Sequence, residues 1–505
     1  MLTLGVRDTR LMNQLSPVDV AVVVVYLVGT TLLGAWFSRG QRDVRTYFVG
    51  DRNVSWWLIL ASIVATETST VTFLSTPGLA FNPRGGNLTF LQLTFGYVIG
   101  RIVVAWLLLP QYLRGELFSA YQLLRQRFDP AVQRTASGLF LLTRTVADGL
   151  RLYLTALLLK HVTGWGIETS ILVMGLVTVF YTYLGGMEAV IWSDLIQLLI
   201  YLAGALVAAV CIVDQTPGGL ETFLAVGTRD HKFALLDFSL DPRVEFTLWA
   251  GLIGGAFISM ASHGADQLMV QRYLCSRSLG QAQAALVLSG VVVLLQFLLF
   301  LLIGVGLYVL DAEGRFPPDM TKAKPDDVFS LFIVRYLPPG VVGLVVAAVL
   351  AAAMSTLSSS LNSSANAFVS DFYRPLQPGH AEGHYLFVSR LMTLGWGLAQ
   401  IGVALLSLVL GSPESIIRQV LAVAGFTTGL VLGLFLLGSL RRPVRSPAAL
   451  AGLVAGFLAV LSVWLSAQLG VPVLAWPWYP VIGTGVTVAV GLLADRRPDR
   501  SEKGT

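Results

Sequence analysis

Residues 338–371 read PPGVVGLVVAAVLAAAMSTLSSSLNSSANAFVSD. The first half is an apolar helix fit for a bilayer. The second half turns to hydroxyls, at Ser355, Thr356, Ser358, Ser359, Ser360, Ser363 and Ser364. Hydrocarbon cannot hydrogen-bond a hydroxyl, so these groups must face protein, water or an ion. Two readings follow. Small residues let membrane helices pack closely. Hydroxyl and carbonyl oxygens are also hard ligands, suited to small hard cations.

Working outward, the 505 residues are 55% hydrophobic and 12% charged, against about 25% charged in soluble domains. That composition excludes a soluble globular protein and predicts an all-α polytopic membrane protein. Apolar runs long enough to span fall near 17–37, 54–78, 88–111, 132–159, 166–184, 188–213, 245–271, 280–310, 339–371, 384–410, 415–439, 446–468 and 475–494, which predicts about 13 transmembrane helices. Residues 116–128 predict an amphipathic helix lying at the inner interface. Cys211 and Cys275 fall near opposite membrane faces, so no disulfide is expected between them.

The net charge of +5 is spread over short loops, which speaks of orientation rather than nucleic acid. Arg39, Arg42, Arg45 and Arg52 follow the first span, and Arg114, Arg125 and Arg127 the third. Arg272 and Arg277 follow the seventh, Arg374 the ninth, and Arg441, Arg442 and Arg445 the eleventh. All sit on one side, the cytoplasm by the positive-inside rule. The expected topology in the plasma (inner) membrane has the N-terminus outside and the C-terminus inside.

Two further spans carry polar centres. The second reads WWLILASIVATETSTVTFLSTPG over residues 56–78. Its Ala65–Thr70 centre is too polar for lipid and predicts a broken helix, whose freed carbonyls can coordinate a cation. The seventh holds Ser259, Ser262, His263, Gly264, Asp266 and Gln267. Two interrupted spans in corresponding places point to an inverted-repeat transporter with its site at mid-membrane; kinked packing helices are the plainer alternative. In the fourth span Arg144, Asp148 and Arg151 share one face. Either an arginine meets an anionic substrate, or the trio is self-neutralised with Glu67 as a further partner. Arg101 is open to the same two readings. Asp194, in the sixth span, has no basic neighbour in sequence and calls for a cation or a proton. His380 and His384 read as solvated loop histidines. No nucleophile–base pair, zinc motif or phosphate loop stands in a suitable context, so the chain is not expected to be an enzyme.

The stretch GGMEAVIWSDLIQ, Gly185 to Gln197, resembles the signature of the sodium/solute symporter family, with Ser193 where the family usually has threonine. AAAMSTLSSSLNSSA resembles its ninth span, and QRYLCSRS, Gln271 to Ser278, the inner end of its seventh. The resemblance implies a LeuT-type fold of five plus five inverted-repeat helices. On this chain that is an extra N-terminal helix at 17–37, repeats at 54–213 and 245–439, and two C-terminal helices at 446–494. It also implies a sodium site formed by the backbone carbonyls of Ala65, Thr68 and Ala352 and the hydroxyls of Ser355 and Thr356. Asp194, Ser355, Ser358 and Ser359 match the positions that hold a second sodium in some members. The solute candidates are Glu67, Ser69, Thr72, Arg144, Asp266 and Phe426. Glu67 departs from the uncharged residues of the sugar carriers, which favours a zwitterion or a carboxylate. The expected function is sodium-coupled symport of a small organic solute by alternating access, with Na+, the solute and the bilayer as partners and no nucleic acid. Proton coupling on the same fold, and a membrane solute sensor, are the alternatives.

Overall fold

The computed structural model describes residues 15–37, 43–115, 117–410, 427–441, 444–471 and 473–495. The helices that build the site are α1 (Pro17–Phe37), α2 (Trp56–Glu67), α3 (Thr70–Phe81), α4 (Leu91–Leu107), α5 (Pro130–Thr163), α6 (Ile167–Gln215), α7 (Gly255–Gly264) and α8 (Gln267–Leu274). They continue with α9 (Leu279–Ala312), α10 (Val341–Phe368), α11 (Glu382–Leu410), α12 (Ser446–Gln468) and α13 (Tyr479–Ala494). Among the described residues the only β feature is an isolated bridge between Val54 and Ser276.

The serine-rich segment forms α10, and its position follows from its composition. Alanine, glycine and serine leave a thin helix that neighbours can approach on every side. Its membrane stretch is 89% buried, against 33–50% for the other long apolar helices. It packs most extensively on α6, and also on α5, α1 and α11. Asp19 of α1 pins its start, accepting the backbone N–H groups of Gly340 and Gly343 at 2.7 Å each.

Both expected breaks are present. Hydroxyl and β-branched residues compete with the helical backbone, and α2 stops within the Thr66–Thr70 run. Thr68 (φ −82°, ψ 101°) and Ser69 (φ −95°, ψ 170°) are extended, and α2 and α3 meet at a 64° bend. Ser69 then caps α3, its hydroxyl accepting the Thr72 N–H at 3.4 Å. The seventh span breaks at Ala265–Asp266, where Asp266 caps α8 by accepting the Leu268 N–H at 2.9 Å.

The spans expected at 166–184 and 188–213 are two helical stretches joined end to end within α6, parted at Gly186, whose backbone (φ 61°, ψ −161°) is not helical. That backbone geometry favours glycine alone. Gly186→Ala is therefore expected to destabilise the protein by about 1–3 kcal/mol, read as a lower melting temperature in detergent.

The expected count of about thirteen spans is not established. By length and composition seven described helices could cross a membrane, or eight if α2–α3 is one span. The breaks divide two spans into short helices, and Arg144, Asp148, Arg151 and Lys160 lower the apolarity of α5. The span expected at 415–439 is described only from Thr427. The expected interfacial helix is Tyr121–Arg127, with Tyr121, Leu123 and Leu124 buried and Arg125 and Arg127 exposed. Both cysteines are free.

Candidate ion and solute site

Where α2 gives way to α3, the last-turn carbonyls lose their helical partners, and α10 faces them. Ala352, Ser355, Thr356 and Ser359 lie three or four residues apart, on one face of α10. The Thr356 hydroxyl donates to the Thr66 carbonyl across the break at 3.0 Å and also lies 3.4 Å from the Ala352 carbonyl. The Thr66 hydroxyl is 3.2 Å from Ser359 Oγ and 3.5 Å from Ser355 Oγ. The last turn of α2, which carries Ala65 and leads into the extended Thr68, thus abuts the turn carrying Ala352, Ser355 and Thr356, and all five residues are buried.

Two residues that the sequence reading passed over fix the break. The Thr68 hydroxyl donates to the Val64 carbonyl at 3.0 Å, accepts from the Tyr201 hydroxyl at 3.2 Å, and accepts from the Gln296 side-chain amide. Gln296 was visible as a lone amide inside VVVLLQFLLFLLIG, residues 291–304. A buried amide in such a run needs partners.

Asp194 is not unpaired. Arg272, expected in a cytoplasmic loop, is fully buried on α8 and lies 3.1 Å from Asp194 Oδ2. Every α8 residue is buried, so the positive-inside count took a core arginine for a loop charge. Asp194 also accepts from Ser355 at 2.6 Å, Ser62 at 2.5 Å and Thr66 at 3.3 Å. Arg272 donates further to Ser62 at 2.8 Å and to Thr66 and Ser359. Of the residues matched to a second sodium, Asp194 and Ser359 already contact a cation, and Ser355 bonds the same carboxylate. Ser358 turns away, donating to the Ser355 carbonyl at 3.2 Å. Farther along α10, Ser360 accepts from Gln400 at 2.9 Å and Ser363 bonds its own helix. The hydroxyls divide, some toward the break and some toward packing.

The charged trio of α5 finds a partner other than Glu67. Asp148 pairs with Arg151 and, at 3.7 Å, with Arg144; Arg144 also pairs with Asp266 at the α7–α8 break. Glu67 instead pairs with the fully buried Arg101 and sits 3.7 Å from His263 Nε2. Arg144, Arg151 and Asp266 line a cavity of about 290 Å³ with Tyr97, Phe140 and Trp476 among its walls. Glu67, Ser69 and Thr72 are not part of this lining, and Phe426 lies outside the described residues. Charges are balanced and aromatic surface is close at hand, so the cavity suits a small solute with both charged and apolar parts.

Comparison with known proteins agrees with this architecture. The model of the sodium:solute symporter family matches residues 47–456. The human sodium/iodide cotransporter is 31% identical over 89% of this chain and 69% of its own. The human sodium-coupled monocarboxylate transporter 1 is 30% identical over 90% of this chain and 74% of its own. A solved structure, described as the substrate-bound outward-open state of a Na+-coupled sialic acid symporter with a novel Na+ site, aligns with a TM-score of 0.86. Its identity is 29%, over 95% of this chain and 98% of that one. A multi-pass helical fold with two broken spans, and a family match across most of the length, together make this chain a member of the sodium:solute symporter family: a sodium-coupled membrane transporter and not an enzyme.

Proposed function

We propose that the chain carries a small organic solute bearing a carboxylate, either a carboxylate anion or a zwitterion, into the cell with sodium. The cargo sodium binds the carbonyls of Ala65, Thr68 and Ala352 and the hydroxyls of Ser355 and Thr356. One observation carries this reading: the 3.0 Å contact of Thr356 with the Thr66 carbonyl, which brings α10 oxygens against the last turn of α2. Five neutral oxygens suit a monovalent cation. Sodium binding favours one state of the carrier only if its affinity differs between states. Ligands drawn from two separate helices meet that requirement, because relative motion of α2–α3 and α10 takes the site apart.

For the solute, Arg144 and Arg151 offer guanidinium groups to a carboxylate, while Asp148 and Asp266 neutralise them between cycles. Iodide, monocarboxylates and sialic acid, named for the relatives, are anions at neutral pH. The arginine-rich loops face the cytoplasm, with the N-terminus outside. Residues 54–213 and 245–439 act as the two repeats.

The test is thermal stabilisation of the purified protein against a panel of carboxylates, zwitterions and neutral sugars, in sodium and in potassium. A carboxylate or zwitterion is expected to raise the melting temperature in sodium only, since ligand binding to the native state stabilises it. Stabilisation by sugars alone would overturn the solute class. Uptake driven by a pH gradient at constant sodium, and indifferent to a sodium gradient, would overturn the coupling ion.

A further inference from the structure

Lys232 lies outside the sites described so far, in the segment after the short helix Gly219–Arg229. It is 2% exposed, which is rare for lysine. Its ammonium reaches four backbone carbonyls: Ala80 at 3.2 Å, Phe81 at 3.3 Å, Asn82 at 2.9 Å and Gly86 at 3.0 Å. Ala80 and Phe81 end α3, so the lysine satisfies the last carbonyls of that helix and sits at the negative end of its dipole. The nitrogen also lies 3.8 Å from the Tyr308 ring centroid. Tyr308 is on α9, one helical turn from Gly304. There α9 meets α3 so closely that a Cβ on Gly304 would come within 2.0 Å of the Pro77 carbonyl. Lys232 is therefore driven in where α3, α9 and the 228–234 segment converge. That segment is itself braced: His231 takes a left-handed φ of 55°, Lys232 N–H bonds the Gly227 carbonyl at 2.8 Å, and Leu88 N–H bonds Ala234 at 3.1 Å.

The opposite end of α3 begins at Thr70, two residues beyond Thr68. A 12-residue helix is a rod of about 18 Å, and clamping one end sets the direction of the other. We infer that Lys232 is a positioning residue for the proposed sodium site, holding the far end of α3 so that the Thr68–Ser69 break keeps its ion-binding geometry. This rests on the sodium-site reading above.

Burial pushes the Lys232 ammonium down to about 8, with Asp230 pulling the other way. The charged form, with three donors for four carbonyls, prevails below that pH; above it the neutral amine lets the clamp loosen. The surrounding titratable and charged groups are Arg229, Asp230 and His231 on its own segment, the Tyr308 phenol with Asp311 and Glu313 from the α9 end, and the exposed Arg84 from the 82–86 turn. Asp230 is held below the usual carboxylate range by Arg229 and stays charged throughout.

The experiment measures sodium half-saturation of uptake from pH 6.5 to 9.5 for wild type, Lys232→Met and Lys232→Arg, alongside melting temperature in detergent. Wild type is expected to need more sodium as pH rises through about 8. Lys232→Met should need about fivefold more sodium or worse at pH 7, the low end of ordinary coupling between sites, with a flat pH profile. Lys232→Arg should restore the wild-type value and remove the alkaline limb. A merely structural lysine would lower rate and melting temperature but leave sodium half-saturation alone. Either that pattern, or a wild-type half-saturation flat over the whole pH range, would overturn the inference. The wild-type series needs no variant to fold. A wrong sodium site shows separately, as undiminished sodium dependence in Ser355→Ala/Thr356→Ala.

Discussion

Reconstituted into vesicles, a Ser355→Ala/Thr356→Ala variant should take up solute at the same low rate with and without a sodium gradient. The substitutions remove two of the five proposed ligands and leave the carbonyls of Ala65, Thr68 and Ala352. If each hydroxyl contributes about 1.5–3 kcal/mol, as hydrogen bonds to charged groups do, apparent sodium affinity falls at least about 150-fold. The change also removes a hydrogen bond to Asp194 and the bond across the break to Thr66, so some loss of stability comes with it. Thr356→Ser separates the two effects. It keeps the oxygen and the bond and drops only a methyl group, and it should retain sodium dependence. Should the double alanine variant respond to sodium with wild-type half-saturation, the cation binds elsewhere.

Much of this architecture was legible, for identifiable reasons. The breaks at Thr68–Ser69 and Ala265–Asp266 announce themselves because polar residues in a membrane span have few places to go, and Ser69 and Asp266 are good helix caps. Pairing across the fold was not legible. Arg272 looked like a loop cation because it closes an apolar run; only the short α8, buried on all sides, carries it back to Asp194. Glu67 could be recognised as needing a partner, but the choice of Arg101 over the α5 arginines depends on where α4, packed on α7 and α9, carries that arginine. The cavity wall contributed by Trp476, Tyr479 and Pro480 also depends on tertiary packing, since periodicity along one helix says nothing of which distant helix covers it. The same holds for Lys232, whose role comes entirely from what the chain folds around it.

The Asp194–Arg272 pair should behave as a unit, and its disruption should have the largest effect on stability. Both side chains are buried among hydroxyls. Removing one partner leaves the other charged and uncompensated, at a cost of about 3–5 kcal/mol. Asp194→Asn and Arg272→Gln are each expected to melt well below wild type in detergent. In the double variant Asp194→Asn/Arg272→Gln the losses should fall short of their sum, because no lone charge remains. The two single variants should then differ toward sodium. Asp194→Asn leaves the Arg272 guanidinium unscreened beside Thr66 and Ser359, next to the proposed ion. Two unit charges about 6 Å apart repel by about 3 kcal/mol at an effective dielectric near 20, roughly 100-fold in affinity. Arg272→Gln does the opposite. It frees a carboxylate to attract a cation, so sodium should still bind, and the steepness of the sodium dependence should rise if a second ion takes the place of the arginine. A second sodium in the wild-type protein has to displace that guanidinium from Ser359 and Asp194, and the arginine variant asks what happens when the displacement is already done. Additive losses across the three variants, or equal sodium affinities in the two singles, would mean that Arg272 is not the counter-ion that organises this end of the site.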